Sequence, residues 1–513
     1  MCKSLLQNAA EKVPLHNIDE IIEYVKCKLD KNEFIDNILI SQIIKYKELL
    51  FNNNEQIYFL IENNIYITSL TFERRFNQEI YSWTGLTNIT KIKFGCYFNQ
   101  EINPLMNLVN ITELVFGEDF NKSIHALGEL INIRKIKFGF QFNQPIDALS
   151  RLINLEELKF GYHFNQSIEP LCGLIKLKTF KLGHAFNQSI EPLVGLINLT
   201  VLQLGQDFNE SIEPLGGLTN ITELKFGIEF NQRINVLEGF TYLTTLKLGD
   251  SFNQSIESLG GLTNLTTLKF GYYFNQEINP LMKLINIKEL EFGEDFDKSI
   301  HALRELINIR KIKFGYQFNQ PIDALSELIN LEELKLGYQF NQLIESLSRF
   351  INLKILHFGE SFNQSIESLD GLTNLIELHF GESFNQSIES LDGFTNLTRL
   401  EFGDRFNQSI ESLYGLINLT ILTFGRNFNQ SIESLGGLTN LTRLEFGSYF
   451  NQRIDVFTGF TNNIALKLGY KFNKTLEPFI GLNNFTIFQD MQYLNITYCI
   501  IKCGRKLENK VRK

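Results

Sequence analysis

Along most of the chain the apolar residues follow neither a helical nor a simple strand period. Residues 252–273, FNQSIESLGGLTNLTTLKFGYY, carry apolar side chains at places 1, 5, 8, 11, 14, 17 and 19. A helix would need a period of about 3.6 residues throughout, and the glycines oppose one. TLKF alternates like a strand with one buried face. The glycine at place 20 ends that strand. The remaining residues must bring the chain back to the start of the next strand, about 4.8 Å away. One short strand per coil predicts a parallel β-solenoid.

The coil recurs. Phenylalanine occupies place 1 at residue 76 and every 22 residues to 472, with no insertion or deletion. Asparagine follows each one except at Asp297, and glycine stands three residues before each from Gly95 to Gly469, with Glu73 in the first coil. Eighteen coils are complete and a nineteenth decays. Repeats of roughly 20–29 residues with one strand each define the leucine-rich class of solenoid. A larger repeat overlies the small one. Residues 120–146 nearly match 296–322, an offset of 176 residues or eight coils, which reads as duplication of a block.

Each recurrent place then has a role in the frame. Phe252 and Phe274 at place 1, with the apolar residues of place 19, should stack as ladders inside the coil. The two places take 32 of the 46 phenylalanines. Asn253 and Asn275 at place 2 should form a buried ladder that satisfies the turn backbone. Gly271 at place 20 should allow a special dihedral or close packing. Asn-Gln-Ser also fits a glycosylation acceptor, but its recurrence assigns it to the frame. Glutamine at place 3 receives no role.

Function falls to the variable places. Places 16 and 18 flank the inward place 17 and should face out. Place 18 is lysine in ten coils, among them Lys225, Lys247, Lys269, Lys313 and Lys335. Later it becomes His357, His379 and Glu401, while place 16 brings Glu333, Glu377 and Arg399. These residues are the candidate partner-binding face, and a merely solvated face is the alternative. His357 and His379 sit one coil apart beside Glu377. With no group evident to orient either imidazole, no metal is assigned. Place 6 is mostly acidic, a solubilising edge.

Composition narrows the classes further. A net charge of −10 argues against nucleic acid as the main partner. The first residues lack the apolar stretch of a signal peptide, and no apolar run approaches the ~18 residues of a membrane span. An intracellular protein with no membrane partner is expected. The six cysteines are scattered without a C-x-x-C pair, so free thiols are expected. No P-loop, H-E-x-x-H, G-x-S-x-G or kinase signature occurs, and no catalytic residue or cofactor is assigned.

LTNLTTLKF resembles the leucine-rich repeat L-x-x-L-x-x-L-x-L. The FGxxFNQ-I turn resembles the FNIP repeat of amoebae and giant viruses, over about residues 64–490. It is similar also to the FNQPL repeats of some bacterial surface proteins. FNIP coils usually carry proline soon after FN and an I-P-x-S segment. Here only Pro145 and Pro321 take the first place, and ESLxGL replaces the second. The resemblance implies a non-catalytic scaffold for protein–protein interaction. Relatives of this kind often carry an N-terminal F-box that docks onto a ubiquitin-ligase scaffold. PLHNIDEIIEYV is faintly similar to the opening of that motif, so a substrate-recognition adaptor is the second reading.

The ends complete the expected organisation. Residues 1–63 form a helical cap, with Ile18, Ile21, Ile22, Val25 and Leu29 on one face and a second helix over 33–50. Residues 64–490 form the solenoid, and 491–513 a C-terminal cap with a basic, solvated tail.

Overall fold

The computed structural model describes residues 16–31, 39–40, 43–44, 49–63, 65, 67–81, 83, 85–479, 482, 484–490, 497–502, 505–506 and 511–512. It divides into two compact units, Met1–Gly249 and Asp250–Lys513. Each is a parallel β-solenoid.

In the N-terminal unit, strands of three residues recur from Lys91–Lys93 through Glu113–Val115 and Lys135–Lys137 to Thr245–Lys247. Every neighbouring pair is parallel, with partners 22 residues apart, such as Lys91 with Glu113 and Leu114 with Ile136. The same offset holds in the C-terminal unit from Thr267–Lys269 to Arg443–Glu445.

The return path follows from the spacing of its apolar residues. Places 5, 8, 11 and 14 lie three apart, the period of a 3-10 turn. Leu127 N–H donates to the Ile124 carbonyl at 2.9 Å, Leu130 to Leu127 at 2.9 Å, and Ile133 to Leu130 at 3.0 Å. The side chains that fill the core therefore also carry the backbone bonds that wind the coil.

Two phenylalanine ladders run through the core. At place 1, Phe98, Phe120 and Phe142 stack with ring centres 6.1 and 6.0 Å apart. At place 19, Phe116 and Phe138 lie 5.2 Å apart, nearly parallel, and Phe116 stacks on Phe120 at 4.1 Å. Phe252 and Phe274 are fully buried and 6.1 Å apart.

Polar ladders flank the aromatic ones. The side-chain oxygen of Asn253 accepts from Asn275 N–H at 3.0 Å, and that of Asn275 accepts from Asp297 N–H at 3.1 Å. The ladder is half-buried rather than buried, and each rung runs from side chain to backbone. Glutamine at place 3 now has a role. Gln276 Nε2 donates to both Asn253 oxygens, at 2.9 and 3.1 Å. A second asparagine ladder, unread in the sequence, stands at place 13, where Asn132 Nδ2 reaches the Val109 carbonyl at 2.8 Å.

Glycine at place 20 serves close approach. A Cβ on Gly139 would lie 1.7 Å from the Gly117 carbonyl oxygen, and one on Gly293 would lie 1.6 Å from that of Gly271. The backbones of successive coils touch where the strand ends, and no side chain fits between them.

The ends differ from the sequence reading. Helix α1 (Ile18–Asp30) buries Ile18, Ile21, Ile22 and Val25, but Leu29 in its last turn is exposed. Much of the expected helix over 33–50 lies outside the described residues. Leu39–Ile40 and Ile43–Ile44 are helical, whereas strand β1 (Leu50–Phe51) pairs in parallel with β2 (Ser69–Phe72). Helix α2 (Asn54–Glu62), capped by Asn53, lies between them and went unread. Its short apolar run sits among asparagines and lacks a sustained helical period. The first part of the F-box-like segment, before residue 16, falls outside the described residues.

At the other end, Phe485–Asp490 continues the parallel run, and Thr497–Lys502 then returns antiparallel to it. Part of the tail read as solvated is therefore a paired strand. Cys27, Cys96 and Cys172 are free, while Cys2 and Cys503 lie outside the described residues. Among the described residues no helix is long and apolar enough to cross a membrane.

Candidate partner-binding face

Residues two apart on a strand share one face of the sheet. The central residues Ile92, Leu114, Ile136 and Leu158 are buried, so places 16 and 18 point outward. The face is built from the least constrained side chains of the coil.

In the N-terminal unit it is cationic. From residue 91 to 247 the two places hold Lys91, Lys93, Lys135, Lys137, Lys159, Lys181, Lys225 and Lys247 against Glu113, Glu157 and Glu223. All three glutamates are engaged. Glu113 pairs with Lys91 at 3.0 Å, Glu157 with Lys135 at 3.3 Å and with Lys159, and Glu223 with Lys225. The hydrogen bond from Lys159 holds the Glu157 carboxyl below the ordinary range, and Lys225 does the same for Glu223. Among the described residues Lys93, Lys137, Lys181 and Lys247 make no ion pair.

The C-terminal unit is balanced. Lys269 contacts Glu289 at 2.5 Å and Glu291 at 3.1 Å, and Lys313 contacts Glu291 at 2.7 Å. Lys335 and Lys311 share Glu333, at 3.1 and 3.3 Å, and Arg399 holds Glu401 at 2.6 Å. Of the five lysines singled out in the sequence, only Lys247 makes no ion pair among the described residues, although its charge acts on Glu223. Sequence spacing identified the outward places. Pairing depends on which glutamate each flexible lysine reaches.

His357, Glu377 and His379 are brought together. Glu377 Oε1 lies 3.1 Å from His357 Nε2 and 2.9 Å from His379 Nε2. The missing orienting group is present, because Glu401 Oε2 lies 3.1 Å from His379 Nδ1. Burial, then the neighbouring His379 and Lys335, push the His357 pKa down to about 4. The Glu401 carboxyl, bonded by His379 and by Arg399, falls to about 2.

Two further rows escaped the sequence reading, although recurrence at one place would have revealed both. At place 12 the apolar Ile131, Ile153, Ile175 and Ile197 are exposed, as are Ile285, Ile307, Ile329 and Ile351. At place 15, Glu156 bridges Arg134 and Lys178, each at 2.9 Å. Eight coils on, Glu332 bridges Arg310 and Lys354 in the same way. A groove of about 610 Å³ beside that second bridge is lined from places 13 and 15, including Asn330, Asn352 and Thr398.

Coils of one parallel strand and a 3-10 return, matched to a solved protein, decide the class. CroV588, described as a circular leucine-rich-repeat protein, is 32% identical over 84% of this chain, with a TM-score of 0.62. The chain has the leucine-rich-repeat fold. It spans 66% of the length of CroV588. The leucine-rich-repeat protein LIC12759 of Leptospira interrogans is similar at 16% identity, a TM-score of 0.55 and 72% of this chain against 94% of that one. TLR13, solved with the RNA ssRNA13, gives 14%, 0.57, 88% and 80%. At those identities the likeness is one of fold. No family model and no curated protein matches the leucine-rich-repeat chain. Its resemblance to FNIP repeats therefore rests on the turn residues alone.

Proposed function

We propose that this leucine-rich-repeat chain is a non-catalytic protein-binding scaffold, and that the sheet face of residues 91–247 contacts an acidic segment of a protein partner. The fold class commonly mediates protein–protein interaction. The observation that carries the reading is the set of unpaired lysines, Lys93, Lys137, Lys181 and Lys247, on a face whose glutamates are all engaged. Like charges on adjacent strands repel. Lys137, Lys159 and Lys181 stand in direct register across three strands. That row does not serve the core, which is filled from place 17. An acidic partner offsets the repulsion and replaces the missing carboxylates.

The test is charge reversal at Lys93, Lys137 and Lys181 to Glu in the full chain. The control is reversal at Lys269, Lys313 and Lys335, which already have partners. Fluorescence anisotropy with a labelled poly-glutamate peptide should show salt-sensitive binding lost in the first variant and largely kept in the second. Equal loss in both variants, or none, would refute the assignment. Stronger binding of a single-stranded RNA of equal charge would replace the protein partner with a nucleic acid.

A further inference from the structure

Three side chains in the C-terminal unit converge in a way that partner binding does not require. His357 and His379 occupy place 18 of successive coils and stand directly opposite across the sheet. Glu377 precedes His379 by two residues on the same strand, so all three share the outer face. The imidazole centres are 4.2 Å apart. One nitrogen from each ring and one Glu377 oxygen all lie within 4.8 Å of one another. The side chains are 23%, 27% and 21% exposed for His357, Glu377 and His379, so the group is sheltered yet open on one side.

The proton arrangement is informative. Glu401 Oε2 at 3.1 Å from His379 Nδ1 selects the tautomer with its proton on Nδ1. In the neutral ring, the form that binds a metal, His379 Nε2 then carries the lone pair. That atom is shielded from solvent and makes no aligned hydrogen bond, although Glu377 Oε1 is only 2.9 Å away. Two lone pairs at this separation repel. A bridging proton would lie on the nitrogen–oxygen line, and the contact is misaligned for one. A cation off that line bonds both atoms and reaches His357 as well.

We propose that His357, His379 and Glu377 form a surface site for a divalent transition-metal cation of the zinc class, with Glu401 orienting His379 and water completing the shell. Two imidazoles and one carboxylate with an open position are a donor set for such ions. Donors about 2.0–2.1 Å from a tetrahedral zinc stand roughly 3.3 Å from each other. The separations of 3.1 and 2.9 Å from Glu377 thus need only small outward shifts. Of the nearby cations, Lys335 pairs with Glu333 at 3.1 Å, and Arg399 pairs closely with Glu401 at 2.6 Å while its Nε stands 3.9 Å from Glu377 Oε1.

The duplicated block provides safe substitutions. Eight coils earlier the same places hold Lys181, Val201 and Gln203 in place of His357, Glu377 and His379. His379→Gln therefore puts at this place a residue that the frame already carries in a sister coil. The experiment is calorimetric titration of the untagged, chelator-stripped full chain with zinc chloride, with metal content after dialysis measured by mass spectrometry. The wild type should bind about one zinc per chain. His379→Gln should weaken binding by about tenfold or more, and so should Glu401→Gln through loss of the carboxylate charge that orients His379. His184→Gln, at a histidine in the N-terminal unit beside Asp207, should leave binding unchanged. No saturable binding by the wild type, or equal affinity in His379→Gln, overturns the site. Unaltered affinity in Glu401→Gln overturns the orienting role. Circular dichroism of each variant separates lost binding from lost fold.

Discussion

Replacing Asn143 by alanine tests what the place-2 ladder contributes. The Asn143 side-chain oxygen accepts from Asn165 N–H at 3.0 Å and from Gln166 Nε2 at 3.1 Å. Alanine removes the one acceptor of both bonds. A fully buried donor left unsatisfied costs about 1–3 kcal/mol. The rung is half-buried and Gln166 can turn to water, so the lower part of that range, about 1–2 kcal/mol, is expected. Asn143→Asp is the informative comparison, because it keeps the acceptor while discarding the Nδ2 donor and adding a negative charge. Asp297 does this naturally, accepting from Asn319 N–H and from Gln320 Nε2, both at 2.9 Å. Global melting is a poor assay, since long repeat arrays lose cooperativity. Hydrogen exchange at the Asn165 amide reads the rung directly. The alanine variant should exchange about fivefold to thirtyfold faster by the same free energy, and the aspartate variant should stay near wild type. Unchanged exchange in Asn143→Ala, or equal acceleration in both variants, would refute the acceptor argument.

Gly139→Ala forces a methyl group to within 1.7 Å of the Gly117 carbonyl. It should open the coils locally, seen as deprotection of the flanking strands, and a wild-type exchange pattern would contradict the close approach. Phe120→Leu should destabilise its coil more than Phe116→Leu. Leucine already stands at place 19 in five coils and never at place 1, so equal losses of hydrogen-exchange protection in the flanking strands would remove the distinction. In the metal-free protein the His357 ring should titrate near pH 4 by NMR. The folded state then binds that proton more weakly than the unfolded chain, whose histidine titrates near ~6.5. Stability should be fully present above that value and fall as pH drops from about 6.5 towards about 4. A ring titrating at the ordinary value would contradict the desolvation.

The period of 22 residues and the alternation around place 17 make the strands and their outward faces readable in the sequence. The three-residue spacing of places 5, 8, 11 and 14 was equally visible, yet its meaning depended on knowing that the bonds run between those same apolar residues. Glutamine at place 3 could not be assigned because its acceptors belong to the preceding coil. The difference between Lys137 and Lys335 lay hidden for the same reason, since both read as lysine at place 18. What separates them is whether a flexible chain of methylenes reaches a glutamate, and that geometry is not periodic.

The constant offset of 22 residues between partners turns the outer sheet into an addressable grid. One axis steps about 4.8 Å from coil to coil, and the other steps two residues along a strand. Any chosen pair of chemistries can be set side by side by writing two letters at known addresses. The core is supplied from other places, so those letters carry no folding duty. The two copies of the eight-coil block show one grid written twice, with lysine and glutamine at addresses where the other copy spells histidine. New contacts can arise on such a surface by single substitutions, without the rearrangement of loops that a compact domain would need.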